Sequence, residues 1–182
     1  MTYYEPQSGA FAALGHGVSE GGALLPLREG AALESEVVSV VRGQDGAAGT
    51  LRGAVAGGRI CGSISENTPQ GIYGTMAAPD GQTVQTGAAH VGSAVIRANV
   101  RGTEIRDYSV QIRSVNERAG QKNLLLEVTD AALLEQTGGI VQGMSGSPIL
   151  QDGRLVGAVT HVLLDDPTQG YGILIDRMLS AA

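Results

Sequence analysis

The chain has 182 residues, enough for one large domain or for two small barrels sharing an interface. Its formal charge of −6 with scattered Lys and Arg excludes the basic stripe that nucleic-acid binding needs, and no apolar run approaches the ~18 residues of a membrane-spanning helix. Cys61 stands alone, so no internal disulfide can form, and its thiol reads as a small buried hydrophobe.

With Gly at 28 residues and aromatics at only 3%, the composition favours short strands joined by tight turns over a core of Val, Leu, Ile and Ala. The chain opens with two short strands between Met1 and Gly15, turned through Pro6 to Gly9, and His16 follows directly. Strand-like runs Ser35–Val41 and Thr50–Val55 flank a turn-rich Arg-Gly-Gln-Asp-Gly-Ala-Ala-Gly. Gly71–Met76, Ala94–Val100, Glu104–Ile112 and Asn123–Val128 continue the strand pattern. Thr129–Gly138 predicts a helix, with a capping residue at its start and Gly at its end, and a second helix is expected over Asp176–Ala181. Segment Ala77–Gly87 is the candidate divide between a first barrel of about 1–85 and a second of about 86–182, together one domain, 1–182.

Chemistry concentrates in Gly143-Met144-Ser145-Gly146-Ser147-Pro148. A serine hydroxyl attacks a carbonyl only when it is exposed on a tight turn, its proton has an acceptor, and backbone N–H groups face the developing oxyanion. Small residues around Ser145 meet that demand, and the amides of Gly143 and Ser145 are the natural oxyanion donors. Behind the turn, Pro148–Leu150, Gln151-Asp152-Gly153 and Leu155–Val159 form a hairpin that holds it rigid. The segment resembles the Gly-Asp-Ser-Gly-Gly-Pro nucleophile motif of trypsin-like peptidases, with Met144 in place of Asp, so activation by a freed N-terminus is not expected. A serine nucleophile needs one of three histidines as its base, and His16 lies just beyond a strand between two glycines, a setting that a surface or capping histidine would equally have. His90 has no distinctive context, and His161 follows a strand whose edge, Thr160-His161-Val162, suits pairing with a substrate backbone.

Several segments together are more specific. Ala-Leu-Gly-His-Gly, Asn67–Gly74, Thr137–Ile149, Gly157–Val162 and Asp166–Ile173 resemble, in order, the peptidase domain of the stage IV sporulation protein B family. The resemblance implies a secreted Ser-His-Asp peptidase of spore-forming Firmicutes, released from the forespore into the space between two membranes. There it cuts a membrane-anchored regulator, freeing an intramembrane metalloprotease that activates sigma-K. The family's base falls on His16, its nucleophile on Ser145 and its acid on Asp130. Members also carry an N-terminal membrane segment and a PDZ domain, which points to an excised peptidase domain here.

Asp130 equally occupies a helix N-cap position, and Asp107, Asp165 and Asp166 are alternative acids. The expected fold is all-β, a trypsin/chymotrypsin-like double β-barrel with one or two short helices, cleft between the barrels. Neither metal nor organic cofactor is required, and no nucleic acid is expected. The rival is a catalytically silent β-barrel module that binds an extended peptide.

Overall fold

The computed structural model describes every residue except Arg28, Gly81 and Gln82, and all side chains in the described strands except that of Ala56. Part of the expected divide between the halves, at Gly81 and Gln82, lies outside the described residues. The chain opens on β1 (Tyr3–Tyr4) and β2 (Ala10–Ala13). Their turn is fastened by the Glu5 carboxylate, which accepts hydrogen bonds from the backbone amides of Gln7 (2.9 Å) and Ser8 (2.7 Å) and from the Ser8 hydroxyl (2.6 Å).

A small ribbon, β3 (Ser19–Glu20) with β4 (Ala23–Leu24), precedes the long strands β5 (Gly30–Val41) and β6 (Thr50–Thr68) and the shorter β7 (Gly71–Met76). These make an antiparallel sheet in the order β1-β2-β7-β6-β5. β5 and β6 run well beyond Ser35–Val41 and Thr50–Val55. Their outer parts are mostly exposed and their register shifts at three places, so backbone pairing holds them and no period-two apolar pattern marks them. Cys61 belongs to this hairpin and is half-buried, not buried, with its thiol donating to the Ala32 carbonyl at 3.2 Å.

The second half consists of β8 (Gly92–Arg101), β9 (Glu104–Val115), β10 (Leu124–Val128), α1 (Ala131–Thr137), β11 (Pro148–Gln151), β12 (Arg154–Val162), β13 (Gln169–Leu174) and α2 (Ile175–Leu179). Its strands close into a barrel in the order β10-β13-β12-β11-β8-β9. Strict alternation explains why: Ala94, Ile96, Ala98 and Val100 of β8, Tyr108, Val110 and Ile112 of β9, and Leu124, Leu126 and Val128 of β10 all point inward and are buried. Full burial of each large aliphatic chain is worth roughly 1.5–3 kcal/mol. Leu133 of α1, Ile140, Met144 and Ile149 complete this core. The all-β class with two short helices stands as the strand pattern predicts.

A second core joins the halves. Ala12 and Tyr73 from the open sheet pack with Leu155, Ala158, Ile173, Ile175 and Met178 from the barrel side. Tyr73 donates its hydroxyl to the Met178 carbonyl at 2.9 Å, and Thr2 donates its hydroxyl to the Gly146 carbonyl at 2.9 Å.

Candidate active site

The Ser145 turn is stitched to β12 on one side and to itself on the other. Gly146 N donates to Val159 O (2.8 Å) and Val159 N to Ser147 O (3.0 Å), while Met144 N donates to Val141 O (3.1 Å) and Ser147 N to Met144 O (3.0 Å). Gly143 has φ +98, a conformation that L side chains rarely adopt, and a Cβ on Gly146 would collide with the backbone nitrogen of Leu14. Among the described residues, the amides of Gly143 and Ser145 donate to no protein acceptor. A cavity of about 950 Å³ opens beside them, walled by Tyr3, Tyr4, Val37 and Leu51 among others.

His16 arrives from the other half. β2 ends at Ala13, and Leu14 (φ 72) and Gly15 (φ 71) both enter the left-handed region, closing a tight turn in which Gly15 N donates to Ala13 O at 3.0 Å. A left-handed leucine costs conformational energy, which the packing of Leu14 against Gly146 holds in place. The segment after His16 is clamped by Asn67, whose Oδ1 accepts from Val18 N (2.9 Å) and whose Nδ2 donates to Val18 O (2.8 Å) and Leu25 O (2.9 Å).

Both catalytic candidates converge on one stretch of β12. The Ser145 hydroxyl donates to the Thr160 carbonyl at 3.0 Å, and the His16 ring lies 5.4 Å from that of His161, tilted by 40°. The His16 Nδ1 meets the carbonyl of Gly17 at 3.0 Å; since a carbonyl only accepts, Nδ1 is the donor, and in the neutral ring that tautomer puts the lone pair on Nε2. His161 Nδ1 is buried with no hydrogen-bond partner among the described residues. Burial, and after it the neighbouring His16 and Lys122, push the His161 pKa below its ordinary value, which favours the neutral ring. Thr160 sits at a break in the β12–β13 register, its hydroxyl donating to Tyr171 O at 3.1 Å, and β11 pairs β12 only as far as Pro148 with Ala158.

Asp130 is not brought to this site. Its Oδ1 accepts from Leu133 N (3.0 Å) as the N-cap of α1, and its Oδ2 accepts from Ser109 N of β9 (3.3 Å). In the six-stranded ring β9 stands opposite β12, where His161 and His16 meet. The alternative acids are engaged elsewhere: Asp107 takes both arms of Arg97 (2.7 and 2.8 Å), and Asp166 bonds Thr168 and Gln169 within its own turn. Asp165 is exposed. Among the described residues, the His–carboxylate pair that forms is His90 with Asp152 at 2.8 Å, in the open at the β11–β12 turn. Gly17 and Asn67 fall in segments that carry the family resemblance, but their roles were not legible, because a carbonyl leaves no trace in residue type and an amide clamp shows only once the loop is folded. No group of three or more His, Cys, Asp or Glu is placed to hold a metal ion among the described residues.

A family model described as SpoIVB peptidase S55 matches residues 1–179, almost the whole chain. The chain belongs to that family. As a member of the SpoIVB peptidase S55 family it is a serine peptidase, and its substrate is protein. A solved structure of Rv3671c from M. tuberculosis H37Rv, an inactive serine-to-alanine mutant, is similar at 13% identity and a TM-score of 0.48, covering 80% of this chain and 82% of that one. No curated protein sequence matches. No helix among the described residues is long and apolar enough to cross a membrane.

Proposed function

We propose that this SpoIVB-type peptidase is an endopeptidase in which Ser145 is the nucleophile and His16 its general base. The observation that carries the reading is convergence: a serine on a rigid turn and an imidazole with a free Nε2 meet at Thr160–His161, beside two unspent amides. A substrate strand lies along Thr160-His161-Val162, on the edge that β11 leaves unpaired. Ser145 Oγ swings from the Thr160 carbonyl to His16 Nε2, gives up its proton there and bonds to the scissile carbonyl carbon. The oxygen of that carbonyl takes up the electron pair and is held by the N–H groups of Gly143 and Ser145. Imidazolium returns the proton to the leaving amine, and water then cleaves the acyl-enzyme by the same route.

For the third member of the machinery, the Ser-His-Asp scheme of the family assigns Asp130. The 3.0 Å contact from His16 Nδ1 to the Gly17 carbonyl favours a second reading, in which the main chain orients the ring. By family resemblance, the substrate is a membrane-anchored regulator in sigma-K activation, cut in the space between forespore and mother-cell membranes. The full-length protein then adds a PDZ domain and an N-terminal membrane segment.

Labelling by a fluorophosphonate tests the enzymatic core. The native chain is expected to be labelled once, with Ser145→Ala unlabelled and His16→Ala labelled slower by orders of magnitude. A folded native chain that takes no label is instead the silent peptide-binding module.

A further inference from the structure

We propose that the part of the substrate that follows the cut bond enters the seam between β1 and β5 and lies along the outer edge of β5 as an added strand. This rests on Ser145 being the nucleophile and extends that reading to the leaving side. The sheet of the first half, in the order β1-β2-β7-β6-β5, ends on β1 at one side and on β5 at the other, and the two do not pair. The cavity of about 950 Å³ beside the nucleophile touches both, at Tyr3 and Tyr4 of β1 and at Ser35 to Val37 of β5. Gly143 and Ser145 border it as well, whereas His16 and Thr160–Val162 lie outside its walls. Residues before the cut bond occupy the Thr160–Val162 edge, so those after it depart past Gly143 into this cavity. Its volume, near the top of the ~300–1,000 Å³ range of ligand pockets, takes several residues rather than one side chain.

β5 offers those residues unpaired backbone. Val37 N donates to Gly102 O and Gly102 N to Val37 O, each at 2.9 Å, so Val37 turns both groups away from β6. The β5–β6 register runs unbroken from Ser35, opposite Val55, to Val37, opposite Gly53, and alternate residues of a strand direct their backbone groups to the same side. Ser35 N–H and C=O therefore face outward too, and among the described residues no backbone group pairs with them there. Ser35 is exposed, and it lines the cavity. An edge of this kind is what an extended peptide adds to, its main-chain bonds supplying affinity. At the entrance, Leu51 is half-buried, lines the cavity and stands against Gly143, where an added Cβ would meet Leu51 Cβ at 3.0 Å. The first residue past the cut bond thus meets an apolar wall.

Acetyl transfer by the native chain tests the leaving side alone. p-Nitrophenyl acetate places its acetyl group on Ser145 Oγ and releases p-nitrophenolate. An added peptide amide then attacks the acetyl carbonyl through its amino nitrogen, gives a proton to His16 and leaves as the N-acetyl peptide, while Ser145 Oγ takes that proton back. Mass spectrometry reads N-acetyl peptide against acetate. Leu-Ala-Ala-Ala amide is expected to capture the acetyl group about tenfold or more better than the same peptide methylated on its internal backbone nitrogens, which cannot donate to an edge. Ser35→Pro removes an edge N–H that β6 does not use, and is expected to bring capture of the first peptide down toward that of the second. Exchange of the Ser35 amide in the native chain, followed by NMR, is expected to slow when the unmethylated peptide is present. Equal capture of the two peptides overturns the inference, and so does an unslowed Ser35 amide or a folded Ser35→Pro that keeps the full ratio. The two levels separate cleanly. A chain acetylated on Ser145 that captures both peptides equally loses only the added strand, and one that takes no acetyl group loses the nucleophile and the added strand with it.

Discussion

The partner of His16 is a main-chain oxygen, and the residue that carries it has little room to change. A Cβ on Gly17 would overlap Leu24 Cδ2 and come within 2.6 Å of the Thr68 carbonyl oxygen. Leu24 has a flexible end that can yield, but the Thr68 carbonyl is backbone, so the Gly17 peptide must shift and the imidazole with it. Gly17→Ala is expected to lower kcat/KM by about ten- to a hundredfold, since displacements near 1 Å at a reacting group cost on that order. Its unfolding temperature should fall as well, because a collision with backbone is not relieved cheaply. Steady-state kinetics beside a thermal melt checks both, and unaltered kinetics would show that the contact does not orient the ring.

At the level of elements, Asp130 and α1 decide between two roles for one carboxylate. Asn caps a helix about as well as Asp, so Asp130→Asn should keep the fold, and with a main-chain orienter it should also keep near-native turnover. A loss of roughly 10⁴-fold in an intact fold would instead install Asp130 as the acid. Asp130→Ala removes the cap and should cost about 1 kcal/mol, a fall of about 2–4 °C in Tm. The cap and its closing Gly138 were legible in the sequence because local chemistry sets them: a short acceptor side chain before Ala131 and a left-handed glycine after Thr137. The strands of the barrel were legible for the same kind of reason, since Ala94 to Val100 alternate against a core. The outer lengths of β5 and β6 were not, because their side chains face water and only pairing defines them. The separation of Asp130 from His16 was equally hidden. It depends on which strands become opposite walls of a closed ring, and the position of Asp130 along the chain, fifteen residues before Ser145, carries no such information.

For the molecule as a whole, the junction between sheet and barrel is the controlling feature. Burial pushes the Tyr73 phenol up to about 12 from an ordinary value of 10.0, and the phenol donates to Met178 O only while protonated. The folded chain thus holds this proton more tightly than the unfolded one. The resulting stability is fully present below pH 10.0, declines as pH rises, and is lost through about 12. Tyr73→Phe is expected to flatten the fall in stability across that window, measured by denaturant melts at stepped pH, and a slope equal to the parent's would count against the assignment. Since His16 comes from one side of this junction and Ser145 from the other, neither half owns a site. A molecule seated on both residues would bridge the seam like a clasp, so occupancy is converted into cohesion, and the two halves would part together at a higher temperature than when empty.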